Sequence, residues 1–358
     1  MLRKLGIIAA SVVLGLAICE AILRHGAADL LPEPSAYRFD PDVGKRLVPG
    51  WQGNSFGTHV EINSHGLRNP EIGYARTPGT YRILALGDSW TFGYRMEAPD
   101  AWPRQLERIL NRDVRQRGDP TRFEVVNTGA VGYSTEQEAA LLRVEGYKYH
   151  PDMVVVAYYP VNDTHAKMAK YRLYQRLREI HPLLLEAWTL PRKLYLRQFW
   201  KGIRRVAWQR LGELRSALAG RLGYRDPGGV ALAEDDWTGP YTAHDRHWLA
   251  ARRALIEIGE QSRALGSRGL VMLLPDVLDL ARYEDRYHPK VAPLVREATR
   301  AAGLEWLDLL EAFHPYRGRE AEIRLSEQRH PNAYGYGLIA RALARRIESD
   351  LRSTAAAP

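Results

Sequence analysis

Gly87-Asp88-Ser89 is the first place in this 358-residue chain where residue types and spacing suggest chemistry. The triplet follows the apolar run Tyr81–Leu86, which reads as a central strand entering a tight turn. Such a turn lifts a serine hydroxyl onto the rim of a sheet, although Asp and Ser also fill turns and caps for structural reasons. Three further segments carry matching groups: Asn127–Ser134 with Gly132, Pro160–Asp163 with Asn162, and Arg329-His330-Pro331-Asn332, preceded by Glu327. A serine hydroxyl is a poor nucleophile until a base takes its proton, and an imidazole such as that of His330 is suited to the task. The tetrahedral intermediate of ester cleavage carries an oxyanion that needs fixed donors. The N–H groups of Ser89 and Gly132 and the side-chain amide of Asn162 are the candidates. An acid that orients the imidazole completes a triad. Asp88 and Asp163, each beside one of these residues, are candidate supporting groups.

These segments need a scaffold, and the hydrophobic pattern supplies one. Apolar strands are expected at Tyr81–Leu86, Phe123–Asn127, Met153–Tyr159, Gly269–Leu274 and Leu304–Leu307. Helical patterns run over about Ala101–Arg115 and Thr135–Tyr147, ahead of the fourth and fifth strands, and over about Ala333–Leu351. Alternating strands and helices predict an α/β fold, a three-layer α/β/α sandwich on a mainly parallel five-stranded sheet. In such sheets ligands sit beyond the carboxyl ends of the strands, where the serine, glycine and asparagine segments fall. Residues 26–80, rich in proline, glycine and asparagine, read as loops and a hairpin ahead of this 81–352 domain, and residues 353–358 read as a disordered tail.

The amino terminus bears on location. Arg3 and Lys4 precede the apolar stretch Leu5–Leu23, whose only charge is Glu20. As a helix it would reach about 28 Å, close to the ~30 Å of a bilayer core. The flanking charges predict an inner-membrane, single-pass anchor over residues 1–25 with the body on the periplasmic or extracellular side. The alternative is a signal peptide and secretion after its cleavage. The single cysteine, Cys19, excludes an intramolecular disulfide framework and a cysteine-based zinc site.

A long insertion, about 164–240, separates the third and fourth strands. Leu196, Trp200, Ile203, Ala207, Leu211, Leu214 and Leu218 form an amphipathic stripe. From Lys167 to Arg221 there are fourteen Lys/Arg against three Glu, while the whole chain carries +9, so the positive charge is concentrated here. A solvated lid, contact with anionic lipid and binding of an acidic polymer are the competing readings. Nucleic acid is disfavoured as a partner for an exported protein. No phosphate-cradling or dinucleotide loop occurs, no cofactor is expected, and His244-Asp245-Arg246-His247 is a poor metal set because neighbouring helical positions point apart.

The four segments resemble the SGNH (GDSL-type) hydrolase superfamily. Its blocks map onto Ser89 in Gly-Asp-Ser, Gly132 in Asn-x-x-x-x-Gly, Asn162 in Asn-Asp and His330 in His-Pro-Asn. Asn63-Ser64-His65-Gly66-Leu67-Arg68 is similar to a segment of membrane-anchored bacterial members. The resemblance implies a serine esterase with Ser89 as nucleophile, His330 as base and an oxyanion hole of Ser89, Gly132 and Asn162. Where the family usually has Asp three residues before its histidine, this chain has Glu327, read as a Glu variant of the triad acid; a Ser–His dyad is the alternative. Pro160 replaces the glycine often found in the third block. The implied substrates are ester-bearing small molecules, lipids or polysaccharides. Two other functions fit the same residues: O-acyl transfer to or from an envelope polysaccharide, and a non-catalytic glycan-binding module.

Overall fold

The computed structural model describes residues 11–21, 36–164, 168, 237–325 and 329–355. The chain divides into two units, Met1–Ser35 with Leu173–Asp235, and Ala36–Arg172 with Asp236–Pro358. In the first, residues 11–21 are helical and expose Val12, Val13, Leu14, Leu16 and Ile18. Among the described residues no helix is long and apolar enough to cross a membrane. Residues 5–10 and 22–23 of the stretch Leu5–Leu23, nearly all of the basic insertion, and Glu327 lie outside the described residues.

The second unit is built on five strands: β5 (Thr80–Gly87), β6 (Arg122–Asn127), β7 (Met153–Tyr158), β8 (Arg268–Leu273) and β9 (Glu305–Asp308). They pair in the order β6-β5-β7-β8-β9, every pair parallel. Alternate residues of a strand face opposite sides, so each apolar run feeds two cores. On one side Ile83, Val125, Val155 and Met272 pack with Leu106 and Leu110 of the helix Trp102–Gln116 and with Ile339 and Leu343 of the helix Ala333–Ala355. On the other, Leu84, Val126, Val154 and Val271 pack with Leu142, Leu255 and Val295. These come from the helices Thr135–Val144, Arg246–Ala264 and His288–Ala301. Helices therefore cover both faces, as the sandwich requires, and each fully buried aliphatic side chain contributes about 1.5–3 kcal/mol.

Three expectations need correction. The segment ahead of the sheet holds two antiparallel hairpins, not one: β1 (Tyr37–Asp40) with β2 (Gly44–Leu47), and β3 (Gln52–Ser55) with β4 (Thr58–Glu61). The helix expected over about Thr135–Tyr147 stops at Val144. There the buried Glu145 turns its carboxylate to Arg46, Tyr74 and Lys148, and a 3₁₀ turn follows at Gly146–Tyr149. The last helix continues past Leu351 to Ala355.

Candidate active site

Ser89 stands where β5 ends. Gly87 is required at the strand end, because a Cβ there would lie 2.1 Å from Oγ1 of Thr91. Asp88 then caps the single-turn helix Ser89–Phe92, its Oδ1 accepting the Trp90 N–H at 2.8 Å. The turn closes at Gly93, whose φ of 82° favours glycine. Arg68, buried at 1 % exposure, holds this end of the turn. Its guanidinium donates to the carbonyls of Phe92 (3.1 Å), Gly93 (2.7 Å) and Met96 (2.6 Å) and lies over the Phe92 ring.

The loop after β6 rests directly on that turn. Asn127 Oδ1 accepts the Gly129 N–H at 2.9 Å, and the Asn127 N–H donates to Asn69 Oδ1 at 3.0 Å. A Cβ on Gly129 would come within 2.3 Å of the Phe92 nitrogen, so only glycine permits this approach. The Ala130 N–H then bonds the Gly87 carbonyl at 3.2 Å. Gly132 follows at φ 72°, inside a turn closed by the Tyr133 N–H donating to the Ala130 carbonyl at 3.0 Å.

The loop after β7 delivers Asn162, whose Nδ2 donates to Asp88 Oδ2 at 2.7 Å. Asp163 shapes that loop by accepting the Tyr159 N–H on its carboxylate. The carbonyl of Pro160 accepts from Tyr241 Oη at 2.8 Å, so the proline at this position is built into a bonded loop.

His330 comes from the far end of the chain, ahead of the last helix. Its Nε2 lies 2.9 Å from Ser89 Oγ. The surrounding loop is fixed on several sides. Arg329 pairs with the buried Asp276 at 2.7 Å, the His330 carbonyl accepts the Leu325 N–H, and Asn332 Oδ1 accepts the Gly335 N–H at the start of the helix. The Tyr94 ring packs on the imidazole with centroids 4.4 Å apart. Burial, and then the charge of Arg95, lower the pKa of His330 to about 4. At neutral pH the ring is therefore uncharged, the form able to accept a proton.

Ser89, Asp88, Asn162 and His330 thus meet at the carboxyl edge of the sheet, with Gly132 in the loop packed beside them. Glu327 lies outside the described residues. Among the described residues no group of three or more His, Cys, Asp and Glu could hold a metal ion. The Asp245 carboxylate instead caps the helix Arg246–Ala264. Sequence reasoning overlooked the Asp276–Arg329 pair, Tyr94, and the roles of Arg68 and Asn69. Asp276 had a findable signal, since it follows the fourth strand at its carboxyl end.

A parallel sandwich with a serine and a histidine in contact at its carboxyl edge is the layout of an α/β-class hydrolase. The profile of the GDSL-like lipase/acylhydrolase family matches residues 85–338, and the chain belongs to that family, as a hydrolase acting on esters. No curated protein matches the sequence. Matching solved structures include an acetyl xylan esterase, at 12% identity and TM-score 0.42 over 74% of this chain and 99% of that one. An acetylxylan esterase from Geobacillus stearothermophilus matches at 14% identity and TM-score 0.42, over 75% and 94% of the two chains. A lipase/acylhydrolase from Enterococcus faecalis matches at 18% identity and TM-score 0.40, over 75% and 96%.

Proposed function

We propose that this protein is a serine esterase that cleaves carboxylic esters through an acyl-enzyme and works in the cell envelope. The observation that carries the reading is the 2.9 Å contact between Ser89 Oγ and His330 Nε2, two residues 241 positions apart in the chain.

In the proposed reaction neutral His330 takes the hydroxyl proton as Ser89 Oγ bonds to the ester carbonyl carbon. The carbonyl oxygen becomes an oxyanion held by the N–H groups of Ser89 and Gly132 and by Asn162 Nδ2. An amide nitrogen has two hydrogens; Asp88 accepts one and thereby aims the other. His330 then gives its proton to the leaving alcohol. Water attacks the acyl-enzyme with His330 again as base, and the carboxylic acid departs as Ser89 regains its proton. Glu327 is assigned the orienting role at the imidazole. Only protein groups and water are needed.

The envelope assignment rests on Arg3 and Lys4 ahead of the apolar Leu5–Leu23, read as an anchor that leaves the catalytic unit outside the cytoplasm. Ester-bearing small molecules, lipids and polysaccharides are the substrates such a placement offers.

Ser89→Ala is the test. The native protein is expected to label with a fluorophosphonate and to turn over a short-chain nitrophenyl ester, and the variant to do neither. Undiminished labelling of the variant overturns the assignment. A pH profile checks the base. His330 must be unprotonated to act, and its pKa is lowered to about 4. The acid limb of kcat/KM is therefore expected well below the ordinary histidine value of ~6.5, with activity held as pH falls through 6. A limb centred at or above 6.5 contradicts this environment.

A further inference from the structure

The hairpin β1–β2 grips residue Val131 of the loop after β6 through both of its backbone groups, which belong to successive peptide planes. Tyr37 Oη accepts the Val131 N–H at 2.8 Å, and Lys45 Nζ donates to the Val131 carbonyl at 2.6 Å. The same ammonium lies 4.7 Å from the Tyr37 ring centroid, so the two side chains brace each other. The loop and the helix after it answer in kind: Tyr133 Oη donates to the Lys45 carbonyl at 2.6 Å, and Gln137 Nε2 of the helix Thr135–Val144 to that of Val43 at 2.9 Å.

The Val131 carbonyl and the Gly132 N–H belong to one peptide plane. No peptide bond in the described chain is cis, so the two groups point in opposite directions. Fixing the carbonyl fixes where the N–H aims. That plane is also the central one of the turn Ala130–Tyr133, closed by its 3.0 Å bond. A positive φ at the third residue, here 72° at Gly132, marks the type II arrangement, whereas type I has this peptide turned over and a negative φ there. Glycine occupies both regions readily, so the backbone alone does little to choose between them. A cation seated on the Val131 oxygen does choose, and it polarises the plane so that its N–H becomes a stronger donor.

We infer that Lys45 is a positioning residue for the oxyanion hole, holding the Val131–Gly132 peptide in the orientation that presents the Gly132 N–H to the reacting carbonyl oxygen. The inference rests on the reading of Gly132 as an oxyanion donor. It gives the hairpin ahead of the catalytic sheet a part in the chemistry.

Three variants of the full chain test it: Lys45→Met, Lys45→Arg and Tyr37→Phe, assayed for kcat and KM on nitrophenyl acetate, with thermal unfolding midpoints. Lys45→Met is expected to lower kcat about 10–100-fold with little change in KM, less than the loss of a whole donor. Lys45→Arg, which restores a charged donor to the carbonyl, is expected to recover kcat to within about threefold. Tyr37→Phe leaves the carbonyl grip in place and should stay near the native kcat. A thionoester supplies the readout that a purely structural role would not move. Sulfur is a poor hydrogen-bond acceptor, so Lys45→Met should shrink the native preference for the oxygen ester. The inference is overturned if Lys45→Met keeps native kcat, or if its loss follows the unfolding midpoint, is not recovered by arginine and leaves the oxygen preference intact. If Lys45→Met does not fold, Lys45→Arg and Tyr37→Phe decide: native-like kcat in both supports the inference, and a donor-sized loss in Tyr37→Phe overturns it. Labelling at Ser89 is followed in every variant. Its persistence with unchanged kcat removes this inference alone, while its absence from the native protein removes the esterase reading.

Discussion

Replacing His330 by alanine is expected to lower kcat for ester turnover by about 10⁴-fold or more, with KM nearly unchanged. The effect is that large because the serine and its base act as a unit. Without a proton acceptor 2.9 Å from its oxygen, Ser89 stays a neutral alcohol at pH 7. The residual rate, carried by the oxyanion donors and by binding, should rise with hydroxide concentration in place of the plateau of the native protein. Added imidazole should recover part of it, since the truncation leaves space beside Tyr94, whose ring packs on the native imidazole. The Arg329–Asp276 pair and the bonds of Asn332 hold the loop independently of the ring, so the fold should survive. A drop of less than tenfold, measured on folded protein, would remove His330 from the chemistry.

Asn162→Ala is the second large effect, about 10²–10³-fold in kcat, the usual loss when one oxyanion donor is deleted. Here it carries a structural cost as well. Asp88 is fully buried, and its Oδ2 loses the amide that donates to it at 2.7 Å. A buried carboxylate deprived of a donor costs about 1–3 kcal/mol, so a fall in the thermal midpoint should accompany the kinetic loss. Asn162→Asp should be worse on both counts, because it places a second carboxylate against Asp88. Ser89 should still react with fluorophosphonate in Asn162→Ala, though more slowly, because the nucleophile and its base are untouched. Native kcat in that variant would take the amide out of the oxyanion hole.

Strand and helix positions were legible because a parallel sheet covered on both faces must be built from near-continuous apolar runs, and Ile83–Leu86 and Val154–Val156 are that. The places of Ser89, Asn162 and His330 were legible too, because each follows a strand or precedes the last helix, and strand ends are where such a sheet exposes side chains. The side chains that hold these residues in place were not. Nothing local in the sequence says that Arg68 reaches across to the carbonyls of Phe92, Gly93 and Met96, or that Tyr37 and Lys45 close on Val131. These contacts join residues that only tertiary packing brings together, and their side chains have no periodic signature. The early end of the helix Thr135–Val144 has the same origin, since two distant partners, Arg46 and Tyr74, claim the Glu145 carboxylate together with the nearby Lys148. Asn63–Arg68 was noticed only as a likeness to relatives. In the fold, Arg68 clamps the serine turn, and the neighbouring Asn69 accepts from the backbone at the end of β6.

The account stands or falls on a covalent ester at one oxygen atom. Rapid quenching of the native protein with a slowly deacylating nitrophenyl ester, followed by intact-mass and peptide analysis, looks for that species directly. One acyl group per chain is expected, on the peptide containing Ser89, formed and lost at rates consistent with turnover, and absent from Ser89→Ala. Full turnover with no acyl group on that peptide, or with the group on another residue, would contradict it.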